Sequence, residues 1–165
     1  MEVQLDFHQK AEVQESLDRL RDLINSRILW EEHNLIYRRS VLTEVLIILK
    51  QLLIKASKLN NRISFTEDIV ADENWGIVDI THLISFYRDA ACHSDSAKLK
   101  EGTIVSSFNE SRGATAGIDF GKNVTTSPYD DEITFLMGGQ RLYLHRHIER
   151  AYQELESFFR PLIFM

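Results

Sequence analysis

The chain has 165 residues, of which 44% are hydrophobic and 27% are charged, and its formal net charge at pH 7 is −6. This length and composition predict one folded domain, residues 1–165, and exclude a disordered chain. The acidic balance argues against broad binding of nucleic-acid duplexes, which basic proteins usually perform, so any contact with RNA must be local.

The sequence shows no secretory signal or membrane span and contains a single cysteine. The first residues show no basic head followed by an apolar run, so we expect no secretory signal. The most apolar segment, Val41 to Ile54, is interrupted by polar and charged residues and is too short for a bilayer, so we expect no membrane partner. A single cysteine, Cys92, excludes an internal disulfide and fits a cytoplasmic location. One cysteine and scattered histidines do not favour a metal site, and we expect no cofactor.

Two amphipathic helices are predicted in the first 60 residues. Apolar residues recur at intervals of three and four from about Val3 to Ile28 and again from about Leu35 to Leu59. Residues 30–34 predict a bend between them, although no Gly or Pro enforces it, so one longer helix stays an alternative. The second helix has a wide apolar stripe, which suggests contacts on two sides, inside a bundle and near a dimer seam. Asn60 and Asn61 are expected to end it.

A third helix is predicted in the middle of the chain, and a Gly-rich stretch follows it. A connector, Arg62 to Gly76, precedes a periodic pattern that starts at Ile77 and continues past Tyr87. Six of the seven glycines then fall between residues 102 and 139, which predicts a flexible Gly-rich insertion there.

Within this insertion, two segments have the composition of strands and predict a small antiparallel pair, Thr103 to Phe108 and Glu132 to Met137. The intervening residues, Glu110 to Tyr129, are predicted to form a flexible loop. That loop is either an RNA-contacting flap that carries Arg112 and Lys122 or a surface excursion without function.

The last predicted helix runs from about Gln140 to Phe159, and Pro161 is expected to end it. Its arginines, Arg141, Arg146 and Arg150, predict a local phosphate-binding face, with an exposed structural face as the alternative. The predicted fold is therefore mainly α, an up-and-down bundle of about four helices with a small β-hairpin-like excursion before the last helix.

The residues best suited to chemistry lie near the end of the third helix. Asp89 and His93 stand one helical turn apart, and Arg88 flanks them. A permanent cation, a carboxylate and an imidazole in one place can stabilise an anionic oxygen and move a proton near neutral pH. The structural alternative is that Arg88 and Asp89 belong to a solvated helix face.

The pattern of Arg88, then polar Asp89, then His93 resembles the signature of the HEPN superfamily, small helical domains that include many metal-independent endoribonucleases. The position of the pattern, within an amphipathic helix of a mostly helical chain, is also similar to the family. Arg141 and His147 show the same loose spacing, but Leu142 stands where the family has a small polar residue.

The resemblance implies that motif helices of two subunits approach each other, so we expect a homodimer with a composite cleft. It further implies cleavage of RNA by attack of the ribose 2′-hydroxyl without a metal, with Arg88, Asp89 and His93 as the catalytic residues. The setting it implies is a toxin with an antitoxin or another defence system. Two alternatives stay open: a non-catalytic binding or dimerisation module of the same type, and a nucleotide-binding or nucleotide-transfer protein.

Overall fold

A computed structural model describes residues 4–31, 35–92, 109–120, 123–137 and 139–164 of the chain. The chain divides into two compact units, one of Met1–Ser64 with Glu149–Met165 and the other of Phe65–Ile148. The predicted mainly helical class is confirmed, and a small antiparallel sheet accompanies the helices. The up-and-down bundle and the single domain stay predictions. In the described ranges, no helix combines the length and the apolar character needed to cross a bilayer.

The described helices and strands follow in chain order. The α-helices are α1 (Phe7–Asn25), α2 (Leu35–Lys58), α3 (Ile80–Cys92) and α4 (Arg150–Phe164), and a π-helix, Leu144–Glu149, directly precedes α4. The strands are β1 (Asn109–Arg112), β2 (Thr115–Phe120), β3 (Asn123–Ser127), β4 (Ile133–Met137) and β5 (Gln140–Tyr143).

Helix α1 runs from Phe7 to Asn25 and is shorter than the predicted helix from about Val3 to Ile28. Local backbone interactions define both of its ends. A capping box begins it: the Asp6 carboxylate accepts the Gln9 N–H at 2.8 Å, and the Gln9 side chain accepts the Asp6 N–H at 3.0 Å. After Asn25 the chain turns, and Arg27 adopts a left-handed conformation with φ of 61°. One continuous helix through this region is therefore excluded.

Helix α2 ends as the sequence predicts. Asn60 has φ of 61°, and its N–H donates to the Ser57 carbonyl at 3.1 Å, while the Asn61 N–H donates to the Ala56 carbonyl at 3.0 Å. This pair of bonds is a Schellman motif, in which Asn takes the place that glycine usually fills.

The first unit contains α1, α2 and α4, which contact one another pairwise. Their facing stripes supply a core of aliphatic and aromatic side chains. Those that are fully inaccessible to solvent are Val13, Leu20, Val45, Leu46, Leu49, Leu53, Ala56, Ala151, Leu155 and Phe159. Burial of side chains of this size stabilises a fold by about 1.5–3 kcal/mol each relative to exposure, and this burial decides where the helices pack.

The second unit contains α3, a three-stranded antiparallel sheet in the order β1-β4-β5, and a two-stranded ribbon of β2 and β3. All five residues of the central strand β4 are buried, the polar Thr134 among them, so the strand is covered on both faces. The predicted strand at Glu132 to Met137 is thus confirmed. The other predicted strand, Thr103 to Phe108, lies outside the described residues.

The predicted loop from Glu110 to Tyr129 is wrong, because β1, β2 and β3 occupy most of it. Strand β1 is set by its pairing with β4, from Asn109 opposite Leu136 to Arg112 opposite Ile133. Strands β2 and β3 pair with a register shift between Thr115 and Ile118. These strands form through backbone pairing with their neighbours. Their Gly-rich sequence alternates only weakly between apolar and polar residues, so the pattern does not predict them.

The predicted last helix is wrong at both ends. Gln140 to Tyr143 form strand β5, since Gly139, with φ of 77°, turns the chain back onto β4. Pro161 lies inside α4, which continues to Phe164. The proline removes one hydrogen bond in the last turn, where Ser157 and Pro161 are exposed and water can satisfy the freed carbonyl.

Tyr87 fixes α3 to the β4–β5 hairpin. Its side chain is fully buried, and its hydroxyl lies 2.7 Å from the Phe135 carbonyl oxygen and 2.8 Å from that of Gln140. The single hydroxyl hydrogen can donate to either oxygen. Burial raises the pKa of Tyr87 well above its usual value, so the group stays a donor.

We expect Tyr87→Phe to lower the free energy of unfolding by about 1–3 kcal/mol, because it leaves buried carbonyl oxygens without this donor. Urea unfolding followed by circular dichroism measures the change. Tyr37→Phe is the matched control, since Tyr37 is 67% exposed and its hydroxyl can bond to water. Equal unfolding midpoints for the two variants would show that the Tyr87 hydroxyl contributes nothing.

Candidate functional site

Helix α3 positions the predicted motif. Asp79, the residue before the helix, caps it: its carboxylate accepts the His82 N–H at 2.9 Å and so satisfies one of the free donors of the first turn. One face, which includes Leu83, Ile84 and Tyr87, is fully buried. Arg88 follows Tyr87 directly and therefore turns onto the partly exposed side of the helix.

Arg88 and Asp89 form an ion pair in the last turns of α3. The Arg88 guanidinium lies 3.2 Å from the Asp89 carboxylate, and the two side chains are 31% and 27% exposed. His93, the third member of the predicted motif, lies outside the described residues. The structure thus brings two of the three predicted catalytic residues together.

This pair can present a positive charge to an anion. A guanidinium binds phosphate oxygens with several hydrogen-bond donors at once, and partial exposure leaves room for a ligand. The C-terminal end of a helix carries a partial negative charge, which favours Arg88 and opposes Asp89. The ion pair with Arg88 offsets this unfavourable interaction of Asp89 with the helix end.

Arg146, predicted to bind substrate, is held by acidic groups of its own chain. Its guanidinium lies 3.0 Å from the Glu132 carboxylate and 3.4 Å from that of Asp131, and it stacks 3.5 Å above the centre of the Tyr129 ring. Burial alone would lower the pKa of Arg146, but the hydrogen bond with Glu132 and the charge of Asp131 raise it. Its charge is thus largely balanced inside the fold.

The Glu132 carboxylate also caps the π-helix. It accepts backbone N–H groups from His145 at 2.9 Å, from Arg146 at 3.2 Å and from Ile133 at 3.0 Å. Nothing in the sequence singles out Glu132, because it stands at the edge of a strand pattern beside two other acidic residues.

The other two predicted substrate-binding arginines have different surroundings. Arg141 belongs to β5, and its guanidinium lies 5.9 Å from the centre of the Tyr143 ring. Arg150 begins α4, where its side chain pairs with Glu154 at 3.0 Å and is 38% exposed. Exposed pairs of this kind are worth only about 0–1 kcal/mol, so Arg150 can exchange Glu154 for a phosphate at little cost.

His147 is a buried structural residue. Its Nδ1 accepts the Tyr143 N–H at 3.1 Å, which leaves Nε2 to donate to the Glu67 carbonyl at 3.1 Å. Burial lowers the pKa of His147 to about 4, so the ring is neutral at pH 7. With both ring nitrogens engaged, His147 has no nitrogen left for substrate.

Metal-binding side chains are not grouped in the part of the chain that the structure describes: no three His, Cys, Asp or Glu residues there could hold one ion. The chain matches no protein-family model, no curated protein and no solved structure. The function is therefore argued from the residues themselves.

We expect the stability of the protein to fall between about pH 6.5 and pH 4. In that window the unfolded chain protonates His147, whose ordinary pKa is 6.5, while the folded chain, with a pKa of about 4, does not. Protons therefore favour the unfolded state, and the loss reaches about 3 kcal/mol at the acid end. The charges of Asp68 and Glu132 oppose the shift, and that of Arg141 adds to it.

Urea unfolding at several pH values measures this loss. His147→Gln keeps an acceptor and a donor but cannot titrate, so we expect a flatter dependence on pH than in the parent. His82→Gln is the control, since His82 is 42% exposed. A slope in His147→Gln equal to that of the parent would contradict the assignment.

Proposed function

We propose that the chain is a metal-independent endoribonuclease of HEPN type, possessing the catalytic residues Arg88, Asp89 and His93. The observation that supports this most directly is the partly exposed Arg88–Asp89 pair at the end of α3, where a phosphate can reach the guanidinium. The family resemblance supplies the role of His93.

In the proposed reaction the ribose 2′-oxygen attacks the adjacent phosphorus, and the bond from phosphorus to the 5′-oxygen breaks. The products are a 2′,3′-cyclic phosphate and a free 5′-hydroxyl. His93 is the group through which the proton leaves the 2′-hydroxyl and reaches the departing 5′-oxygen. Arg88 binds the non-bridging phosphoryl oxygens as negative charge develops on them, and Asp89 orients Arg88, His93 or both. Attack and leaving-group departure need no metal if these groups supply proton transfer and charge stabilisation.

A homodimer and a protein partner such as an antitoxin belong to this proposal. In proteins of the HEPN type, the motif helices of two subunits form one cleft. The same arrangement here would place two Arg88 side chains near one RNA strand. The same resemblance implies a toxin or defence role, and the single cysteine is the reason that we place this role in the cytoplasm. The net charge of −6 is compatible with an enzyme that engages one or two phosphates.

A second candidate is a non-catalytic module of the same type, used for binding or dimerisation. The 3.2 Å contact between Arg88 and Asp89 favours it, because a guanidinium committed to a carboxylate can serve stability alone. In that case, loss of Arg88 weakens the fold or a subunit interface and changes no activity.

The decisive experiment is cleavage of an RNA pool by the purified chain in EDTA, with product ends identified. We expect cyclic-phosphate products from the parent, and a loss of about 10²-fold or more in rate for His93→Ala and for Arg88→Ala. His82→Ala and Arg160→Ala are the controls: His82 is on the same helix, and Arg160 likewise pairs with a nearby acidic residue, Glu156.

If His93→Ala and Arg88→Ala both still cleave RNA at the rate of the parent, then Arg88 and His93 are not catalytic residues. No cleavage by a folded parent, together with lower stability of Arg88→Ala, would favour the non-catalytic module.

The substrate-binding role of Arg150 has its own test. We expect Arg150→Ala to weaken RNA binding and to reduce the slope of log affinity against log salt by about 0.7, the value for one single-strand phosphate contact. Arg160→Ala is the matched control, because Arg160 also pairs with a glutamate one turn away on α4. An equal effect of the two variants on RNA affinity would show that Arg150 has no specific role.

A further inference from the structure

We draw no further inference here: the strongest candidate, the open groove of about 780 Å³ between α1 and α2 in the first unit, carries none because nothing in the structure shows what covers it.

Discussion

The carboxylate of Glu132 joins the sheet to the helical end of the second unit. A carboxylate that is only 1% exposed would cost several kcal/mol if its oxygens lacked partners. Here three backbone N–H groups and the Arg146 guanidinium bind it. Because these donors come from the start of β4 and from the first turn of the π-helix, the two elements are fixed relative to each other. The positions of Tyr129 and Arg146 follow from that constraint.

His147, the next residue of the π-helix after Arg146, adds a second constraint of the same kind. Its ring nitrogens bond to the backbone of Tyr143 and Glu67, so β5, the π-helix and the connector before α3 meet at one imidazole. A protonated ring would lose the bond from Tyr143, because Nδ1 would carry a hydrogen of its own. The neutral ring and the buried carboxylate are therefore parts of one arrangement, in which each polar atom has a defined partner.

The parts of the fold that were predictable from the sequence are those in which one segment determines its own conformation. Helix α2 and the two asparagines that terminate it lie in one continuous segment, Leu35 to Asn61, and the sequence predicts both. The sequence predicts helix at Gln140 to Tyr143 because these residues suit either state, and only their pairing with β4 makes them a strand. The same holds for β1, whose polar residues form a strand because a buried neighbour offers free backbone groups.

The candidate site divides in the same way. Arg88 and Asp89 are neighbours in the sequence and form an ion pair on α3, whereas the predicted proximity of Asp89 to His93 stays a prediction because His93 lies outside the described residues. The sequence does not distinguish the surroundings of Arg146 from those of Arg150, because both arginines lie in the same predicted helix. Their difference arises from Glu132, fourteen residues before Arg146, and no periodic pattern links the two. Both arginines have a carboxylate partner at 3.0 Å, but Glu132 is buried and Glu154 is 38% exposed, so the two pairs differ in how readily water or a ligand reaches them. The burial of Glu132 depends on contacts distant in the sequence.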